Sequence, residues 1–455
     1  MPHILLQATL RSFAKLLGRE LASDIQVTGV AVDSRLVKPG YVFFALPGAR
    51  ADGHQFLSQV AKSGAVAAVV LKEYAGPACG IPLIPVDDVL AALQKGAHDA
   101  LAALRGKETK VIGITGSMGK TTTKEFLKTL LEAQFCVVAN VGSYNGQIGL
   151  PLTILNGWLE SKKTPDIWVL EMGMSSPGEI SQLLKIAPPD IAIITAVTLA
   201  HAMNFNDVSD ISRAKGEIFS HPRTQLGFVN QAIPAYDEVC RIGTCAKNSF
   251  STTSMKVDYY GSSSGALLTV RDPSGKRVSF NIPVPGIHNH QNALAAIILA
   301  RAVGMSWEEI AAAVPNLQLP ERRFQFVERR GVTFVNDAYN ANVDSMKAAL
   351  QSLPAPKRGG RRLAVLGEMV ELGKFSRQCH EQVAECALKN LDELFCVGAG
   401  ARVYEELWLA EKRPVHWFAS RAEASASLSK ALTPGDVVLL KGGRTLALEK
   451  VLEEL

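Results

Sequence analysis

Residues 110–131 read KVIGITGSMGKTTTKEFLKTLL, and this stretch decides the fold of the middle of the chain. Its first seven residues form an apolar run typical of a buried strand, and the glycines that follow favour a tight turn. The remaining residues place four apolar side chains on one side of a helix. These side chains are Phe126, Leu127, Leu130 and Leu131. Strand, glycine-rich turn and helix in this order predict a βα unit within a mainly parallel sheet.

The turn of this βα unit has the chemistry of a phosphate-binding loop. Its glycines let backbone N–H groups point at phosphate oxygens, Lys120 neutralises the β and γ phosphates, and the Thr121 hydroxyl binds Mg²⁺. The strict pattern has glycine where this chain has Ile114, and here Gly113 comes one residue earlier. The competing interpretation is a glycine-rich turn beside a chance Lys-Thr pair, but the flanking strand and helix favour a nucleotide site. The predicted ATP contacts in this loop are Gly116, Ser117, Gly119, Lys120, Thr121 and Thr122.

Patterns on both sides of the loop predict an α/β fold with three domains. Residues 1–86 contain short β-rich runs broken by glycine and proline turns, and indicate a small N-terminal α/β domain. Apolar residues at helical spacing after residue 87 predict a helix that leads into a central, P-loop ATPase-like domain over 87–318. Strand-like runs alternating with helical segments over 319–455 predict a C-terminal, doubly wound, Rossmann-like domain.

Two further apolar runs in the central part resemble buried strands. They are DIWVLEMG at 166–173 and DIAIITAV at 190–197, and they alternate with helical segments, which favours a mainly parallel sheet. Residues 249–285 differ, because Ser- and Gly-rich turns separate alternating strands. This segment predicts an antiparallel excursion at the sheet edge, before a helix that starts near His290.

Charge and composition argue against several classes of partner. The net charge of +5 is small for 455 residues, and basic residues are interspersed with acidic ones, which argues against nucleic-acid binding. The N-terminal residues do not resemble a secretory leader, and no window approaches the roughly 18 apolar residues of a membrane span. The seven cysteines show no CxxC spacing and indicate reduced thiols. We therefore expect a cytoplasmic monomer that binds neither nucleic acid nor a membrane.

The loop spacing GITGSMGKTT at 113–122 resembles the phosphate loop of the Mur ligases, cytoplasmic enzymes that build the peptide of the bacterial cell wall. Folate-polyglutamate ligases share that core. The resemblance continues in order through all three predicted domains, in blocks such as EMGMSSPGEI, GIHNHQNALAA, ERRF, VNDAYNANVDSMKAAL and LLKGGRT. A DNPR-type block, typical of the ligase that adds the third residue, is not found. The chain therefore resembles the branch that adds D-alanyl-D-alanine to UDP-N-acetylmuramoyl-tripeptide.

The resemblance implies an ATP-dependent ligase that forms an amide bond through an acyl phosphate. ATP and Mg²⁺ are the implied cofactors, and the tripeptide precursor and the dipeptide are the implied substrates. Two alternatives stay open at this point. One is a sister ligase that adds another amino acid or dipeptide, and the other is a nucleotide-binding regulatory ATPase, which needs the loop but no amine acceptor.

The resemblance also implies a set of metal ligands. Glu171 follows the strand-like run DIWVL and would hold Mg²⁺ together with Thr121, whereas His201 would bind a second metal ion. Lys215 matches a family lysine that is often carbamylated, which would give a carboxylate that supports the second metal. The ordinary alternatives are a solvated loop carboxylate, a structural histidine, and a surface lysine paired with Glu217.

Other residues are implied to contact the nucleotide. Asn292 matches the adenine contact, with Asn289 and His288 shaping the same turn, although Asn289 could instead cap the helix that follows. Arg323 and Asp337 match residues that reach the γ phosphate and the nucleotide when the domains close. Their alternatives are a surface arginine and a strand-end aspartate. Catalytic roles are implied for Lys120, His201, Lys215 and Arg323.

The substrate contacts are implied by the same resemblance, in all three domains. The residues predicted to receive the UDP-sugar are Ser34, Arg35, Gly48, Asp52, Gly53 and His54, although ordinary turns have similar composition. Asn145 is also predicted to contact substrate. The residues predicted near the dipeptide are Tyr339, Asn340, Asn342, Asp344 and Ser345, of which Asp344 or Ser345 could instead cap a helix.

The chain departs from the family blocks at a few positions. The family usually has asparagine where this chain has Gly146, and proline where it has Val343. Ala202 and Met203 replace the common Leu-Glu pair. These departures lie outside the predicted phosphate loop.

Overall fold

The computed structural model describes residues 8–48, 51–105, 109–142, 144–161, 163–200, 202–357 and 359–455. The strands in these ranges form three sheets of four, nine and six strands, which pack against helices. Most neighbouring strands are parallel, which confirms the predicted α/β class. Each sheet lies inside one of the three predicted domains, whose boundaries remain predictions.

The first sheet is wholly parallel. Its strands, paired in chain order, are β1 (Gly29–Ala31), β2 (Tyr41–Phe44), β3 (Ala67–Leu71) and β4 (Leu83–Val86). The helices of this part are α1 (Leu10–Leu16), α2 (Leu57–Lys62) and α3 (Val89–Leu104). Helix α3 is the helix predicted after residue 87. It begins where the Asp88 carboxylate accepts a hydrogen bond from the Ala91 amide, and it buries Leu93, Ala97 and Leu101 at helical spacing.

The second sheet contains the phosphate-loop strand. Its strands are β5 (Lys110–Thr115), β6 (Val137–Ala139), β7 (Ile167–Glu171), β8 (Ile191–Ile194), β9 (Leu226–Asn230), β10 (Ala246–Ser251), β11 (Tyr259–Ser264), β12 (Leu267–Arg271) and β13 (Arg277–Asn281). They pair in the order β13-β12-β11-β10-β9-β8-β5-β7-β6. The β11-β12 and β12-β13 pairs are antiparallel, which confirms the predicted excursion, while β6 and β9 are strands that the sequence patterns missed.

Helices cover both faces of this second sheet. They are α4 (Lys120–Leu131), α5 (Gly149–Glu160), α6 (Glu179–Ile186), α7 (Val208–Gly216), α8 (Tyr236–Cys240), α9 (Ile287–Ala302) and α10 (Trp307–Ala313). The four apolar residues predicted on one side of α4 are all buried. They join a core with α9, which is apolar nearly all round because it is buried on most sides.

The third sheet is parallel except at one edge. Its strands are β14 (Gln325–Arg329), β15 (Val332–Asn336), β16 (Arg362–Gly367), β17 (Glu393–Val397), β18 (Val415–Phe418) and β19 (Val437–Lys441). They pair in the order β14-β15-β19-β16-β17-β18. The helices are α11 (Val343–Gln351), α12 (Ser376–Asn390), α13 (Arg402–Ala410), α14 (Arg421–Ala431) and α15 (Val451–Glu454). Five of the six strands were predicted, and the edge strand β14 was missed.

The N-terminal and central parts share one hydrophobic core. It continues from Val69 in β3 through Leu101 in α3 to Leu170 in β7. The C-terminal sheet has cores of its own, and it meets the central part partly through loops, where the Met203 amide donates a hydrogen bond to the Glu371 carbonyl at 3.0 Å. The structure therefore consists of a joined N-terminal and central body and a C-terminal body with separate cores.

One asparagine fastens the exposed edge of the first sheet to the central part. The Asn156 side chain in α5 accepts from the Val30 amide at 2.8 Å and donates to the Val30 carbonyl at 3.2 Å. It thus satisfies both backbone groups of an edge strand, as a neighbouring strand would.

Among the described helices, none combines the length and apolar character that a membrane crossing requires.

We expect Asn156→Ala to weaken this attachment, because the alanine leaves the amide and carbonyl of Val30 without their partner. The free energy of unfolding should fall by about 1 to 3 kcal/mol. Urea unfolding of the full-length protein, followed through the transition of the N-terminal and central body, measures this change. Asn281→Ala, which alters an exposed asparagine in β13, is the matched control and should have little effect. Equal stability of the two variants would contradict a stabilising role for Asn156.

Candidate active site

The carboxyl ends of three neighbouring strands meet at one edge of the central sheet. The local order β8-β5-β7 places Thr195 after β8, the phosphate loop after β5 and Glu171 at the end of β7. Ligands of parallel α/β sheets bind at such an edge. The three strands are buried, so their polar ends define the floor of a site.

Two glycines of the loop allow close packing against this floor. A Cβ atom on Gly116 would lie 2.1 Å from Thr195 Oγ1, and one on Gly119 would lie 2.3 Å from Asn292 Oδ1. Gly119 also has φ of 79° and directly precedes α4. The first amides of a helix have no partner within it, so this geometry presents them, together with the positive end of the helix dipole, to an anion.

Lys120 is enclosed by the loop that precedes it. Its amine donates to the Gly116 carbonyl at 2.7 Å. Burial lowers the pKa of Lys120, the Glu171 carboxylate opposes that effect, and Arg323 lowers the pKa further. A phosphate in the cleft would offset this unfavourable environment by placing negative charge beside the amine.

Glu171 is a buried carboxylate held by two neighbours. The Thr121 hydroxyl donates to Oε2 at 2.9 Å, and the side-chain amide of Asn145 donates to Oε1 at 2.6 Å. Glu171 is only 1% exposed, so the alternative of a solvated loop carboxylate is wrong. A hydroxyl and a carboxylate at the phosphate loop are oxygen donors of the type that Mg²⁺ prefers, and they fit one metal ion.

Lys215 lies near this pair, at the end of α7. It is 2% exposed, and among the described residues none accepts a hydrogen bond from its amine. Burial lowers the pKa of Lys215 well below its usual value, Lys120 lowers it further, and Glu171 opposes the change. The surface-lysine alternative is therefore wrong, and Glu217 instead accepts hydrogen bonds from Gly178 and Ser181.

His201, the predicted ligand of a second metal, lies outside the described residues. Within the described ranges, no cluster of three or more His, Cys, Asp and Glu side chains has the arrangement of a metal site. The buried Lys215 amine is close enough to Glu171 for that carboxylate to influence the pKa of the lysine.

The start of α9 forms the side wall of the cleft. Asn289 donates to the Pro285 carbonyl at 2.6 Å, and Asn292 donates to Asn289 Oδ1 at 3.2 Å. The helix begins at Ile287, slightly earlier than predicted, after Gly286. Asn289 therefore lies inside the helix, and the alternative that it caps the helix is wrong.

The C-terminal domain supplies the opposite wall. The Arg323 guanidinium lies 4.2 Å from the centre of the Tyr339 ring, a cation–π contact that orients the arginine. The Phe324 ring packs edge-on against His288 at 6.0 Å, which joins the two walls near the predicted adenine site. Burial lowers the pKa of His288, so a neutral ring is favoured there.

Asp337 is paired with a lysine that had no predicted role. Lys441, at the end of β19, donates to Asp337 Oδ2 at 2.6 Å and to the Asn340 carbonyl at 3.0 Å. Arg444 was also missed, and its guanidinium lies 5.3 Å from the Tyr339 ring. Both residues belong to the block LLKGGRT after a buried strand, the same strand-end signal that identified Glu171.

The predicted dipeptide residues are only partly brought together. Asn342 caps α11 by accepting from the Ser345 amide at 2.9 Å, and Ser345 completes a reciprocal capping box. The N-cap is thus Asn342 rather than Asp344 or Ser345, and Ser345 is its partner in the third helical position. Asp344 lies in the first turn and outside the cleft lining. Val343 occupies the first helical position, where proline is also well suited, and it is buried.

The other departures from the family blocks have simple surroundings. A Cβ atom on Gly146 would meet no atom within 4 Å, so this position has room for the usual asparagine. Ala202 is buried, and Met203 is exposed where its backbone meets Glu371.

The predicted UDP-sugar residues lie apart from this cleft and make local contacts. His54 Nδ1 lies 2.6 Å from the Asp52 carboxylate, and His54 Nε2 accepts from the Leu71 amide at 3.0 Å. The hydrogen bond from His54 lowers the pKa of Asp52. Ser34 is buried, whereas the Arg35 side chain is 82% exposed beside Asp33.

A single cleft of about 340 Å³ gathers most of the predicted site. The predicted residues that line it are Ser117, Gly119, Lys120, Thr121, Thr122, Asn145, Glu171, Asn289, Asn292, Arg323, Asp337, Tyr339, Asn340, Asn342 and Ser345. Of the described residues with a predicted role, those outside its lining are Gly116, Lys215, Asp344, Ser34, Arg35, Gly48, Asp52, Gly53 and His54. The cleft combines a phosphate loop, a metal-type oxygen pair and cations from a second domain, which suits phosphoryl transfer.

Comparison with protein families matches all three parts of the chain. The Mur ligase family catalytic domain matches residues 26–100, the Mur ligase middle domain matches 114–300, and the glutamate ligase domain of Mur ligases matches 322–444. Curated proteins named UDP-N-acetylmuramoyl-tripeptide–D-alanyl-D-alanine ligase from Bacillus subtilis and Escherichia coli are each 32% identical, with 99% of both chains covered.

Solved structures are similar over nearly the whole length. A MurF structure from Acinetobacter baumannii has a TM-score of 0.85 at 28% identity and covers 99% of both chains. A MurF ligase from Thermotoga maritima in complex with ADP has a TM-score of 0.78 at 28% identity, with 94% of this chain and 97% of that chain covered. The family matches include the segments that form the floor and both walls of the cleft. This chain therefore belongs to the Mur ligase family.

Proposed function

We propose that this ligase joins D-alanyl-D-alanine to UDP-N-acetylmuramoyl-tripeptide with cleavage of ATP to ADP and phosphate. One observation carries the proposal. The cleft is lined by Lys120 from the central part and by Arg323 and residues 339–342 from the C-terminal part. The full-length similarity to relatives of that name supports the choice of substrates. A sister ligase has the same phosphate chemistry, so the acceptor must be tested directly.

The first chemical step moves a phosphoryl group. The tripeptide carboxylate attacks the γ phosphorus of ATP, the bond to the β-phosphate oxygen breaks, and an acyl phosphate and ADP form. Lys120 and the amides at the start of α4 stabilise charge on the phosphates, and Arg323 approaches from the other wall. Catalysis therefore depends on placement of charge rather than on a covalent enzyme intermediate.

The second step forms the amide bond. The neutral amine of the dipeptide attacks the acyl carbon, phosphate leaves, and the nitrogen loses a proton. The segment from Tyr339 to Asn342 faces the same cleft as Arg323, and we assign it to the dipeptide. Approach of the C-terminal domain excludes water, which would otherwise hydrolyse the acyl phosphate.

The site also fits divalent metal ions. Thr121 and Glu171 would hold one Mg²⁺, and a carbamylated Lys215 with His201 would hold another. Mg²⁺, when bound, supplies positive charge at the transferring phosphoryl group. The lowered pKa of Lys215 favours a neutral amine, which can attack CO₂ with formation of an N–C bond and release of one proton.

We assign residues 1–86 to the UDP-sugar, residues 87–318 to ATP, and residues 319–455 to the dipeptide and to closure on ATP. Asn156 attaches this first domain to the central part. That attachment gives a substrate held on the first sheet a constant position relative to the phosphate loop.

The deciding experiment supplies UDP-N-acetylmuramoyl-tripeptide and ATP with a panel of amines, and follows phosphate release and product mass. Only D-alanyl-D-alanine should give rapid release and a product heavier by the dipeptide residue. Preference for a single amino acid would instead identify a sister ligase. ATP turnover without tripeptide or amine would favour a regulatory ATPase.

We expect Lys120→Ala to lower kcat by about 100- to 1000-fold, because it removes a charge that stabilises the transferring phosphoryl group. The melting temperature should stay near that of wild type, since the amine lies in a cleft rather than in an apolar core. Lys185→Ala, which changes an exposed lysine of α6, serves as the control. More than about a tenth of wild-type turnover in Lys120→Ala would contradict this role.

A Lys215→Ala variant should retain ATP binding, because Lys120 and Thr121 remain, but lose ligation. Acetate or formate should partly restore the activity by placing a carboxylate in the vacated space. Mass spectrometry of the intact wild-type protein in bicarbonate provides an independent test of the carbamate. Full activity of the alanine variant at saturating Mg²⁺ would rule out a carbamate function.

A further inference from the structure

Lys124 is a buried lysine on the phosphate-loop helix that the mechanism above does not use. It is 0% exposed, one turn after Thr121 in α4. Its amine lies 2.8 Å from the Gly142 carbonyl and 2.8 Å from Glu125 Oε1, and it also donates to the Asn140 carbonyl. The amine therefore donates hydrogen bonds to two backbone carbonyls and forms an ion pair with Glu125, and these three polar contacts compensate its burial.

The two carbonyls, of Asn140 and Gly142, belong to one irregular segment between the edge strand β6 and helix α5. Asn140, in this segment, is 2% exposed and bridges two chain positions. Its side chain accepts from the Glu171 amide and donates to the Tyr144 carbonyl at 2.7 Å. The segment held by Lys124 is therefore also fastened to the end of β7.

The same segment leads to Asn145, which contacts the carboxylate of Glu171. Asn145 donates to Oε1 at 2.6 Å, and the Asn145 carbonyl accepts from the Gly173 amide at 2.9 Å. Thr121 donates to the other carboxylate oxygen. These hydrogen bonds connect Lys124 of α4, through Asn140, Glu171 and Asn145, to Thr121 of the same helix.

We propose that Lys124 is a positioning residue: it holds residues 140–142 so that Asn145 orients the Glu171 carboxylate toward the phosphate loop. The inference rests on the proposed function, in which Glu171 holds the Mg²⁺ of ATP. A lysine suits this place because one compact ammonium group donates to two backbone carbonyls of an irregular segment and pairs with Glu125. Removing it frees the segment while every group that touches ATP stays present.

The test compares Lys124→Met with Lys128→Met, a matched variant in the same helix whose lysine is partly exposed and pairs with Glu132 at 3.7 Å. Lys124→Met should lower kcat/KM by about 10- to 100-fold, as loss of a group that orients a metal ligand does. It should also raise the Mg²⁺ concentration needed for half-maximal binding of a non-hydrolysable ATP analogue. Lys128→Met should match wild type in both measurements.

A double-mutant cycle with Asn145→Ala separates positioning from general support of the fold. If Lys124 acts through Asn145, adding Lys124→Met to Asn145→Ala should change the Mg²⁺ dependence by less than about twofold, whereas independent effects would multiply. Lys124→Gln keeps an NH₂ donor group without the positive charge and should be intermediate. Nucleotide binding needs no acceptor amine, so this measurement stays valid if the proposed dipeptide specificity fails.

Melting curves of every variant accompany these assays. An activity loss that follows only the loss of folded protein would identify a purely structural lysine and overturn the proposal. Wild-type Mg²⁺ dependence in folded Lys124→Met or Lys124→Gln would overturn it as well, and so would a fully multiplicative loss in the double variant.

Discussion

The contact between Thr121 and Glu171 joins the phosphate helix to the neighbouring strand, and the rest of the site is arranged around it. It exists because β5 and β7 are adjacent parallel strands whose carboxyl ends lie at the same edge. The phosphate loop leaves one strand and the carboxylate ends the other. Without this adjacency, a hydroxyl and a carboxylate separated by 50 residues would not share a metal-sized space.

Four lysines near the cleft show how differently a protein can treat a buried positive charge. Lys441 is neutralised by Asp337, and Lys124 is satisfied by two carbonyls and Glu125. Lys120 has one carbonyl partner and lines the cleft, where the proposed function places the phosphates of ATP. Burial without a described acceptor disfavours the charged form of Lys215. The first two lysines are therefore paired within the protein, whereas the other two are suited to acquire a new partner.

The hydrophobic cores divide the protein into two bodies, and the residues of the site are distributed between them. The N-terminal and central sheets share one core through α3, while the C-terminal sheet has separate cores. Groups that need a constant relation, such as the phosphate loop and Glu171, lie on the joined body. Arg323 and the Tyr339 segment lie on the other body, whose hydrophobic cores are separate from that of the joined body.

The sequence by itself determined the βα unit at 110–131, most strands, and the residues of the phosphate loop. These depend on local periodicity and on glycines at required positions, and both are readable from neighbouring residues. The sequence patterns missed β6, β9 and β14, although β9 is mostly buried. Strand β6 has only three residues, and β14 is an edge strand with mostly exposed side chains. They also left open whether Lys215 is a surface residue.

Only the tertiary structure decided which polar residues meet. It paired Asp337 with Lys441, converted Ser345 into half of a capping box, and placed Asp344 outside the cleft. It also showed that Lys215 is buried beside Glu171, although the two lie on different elements. Burial and long-range pairing arise from the order of strands in a sheet and the packing of helices on it. No local sequence pattern contains that information, because the partners are brought together by chain segments between them.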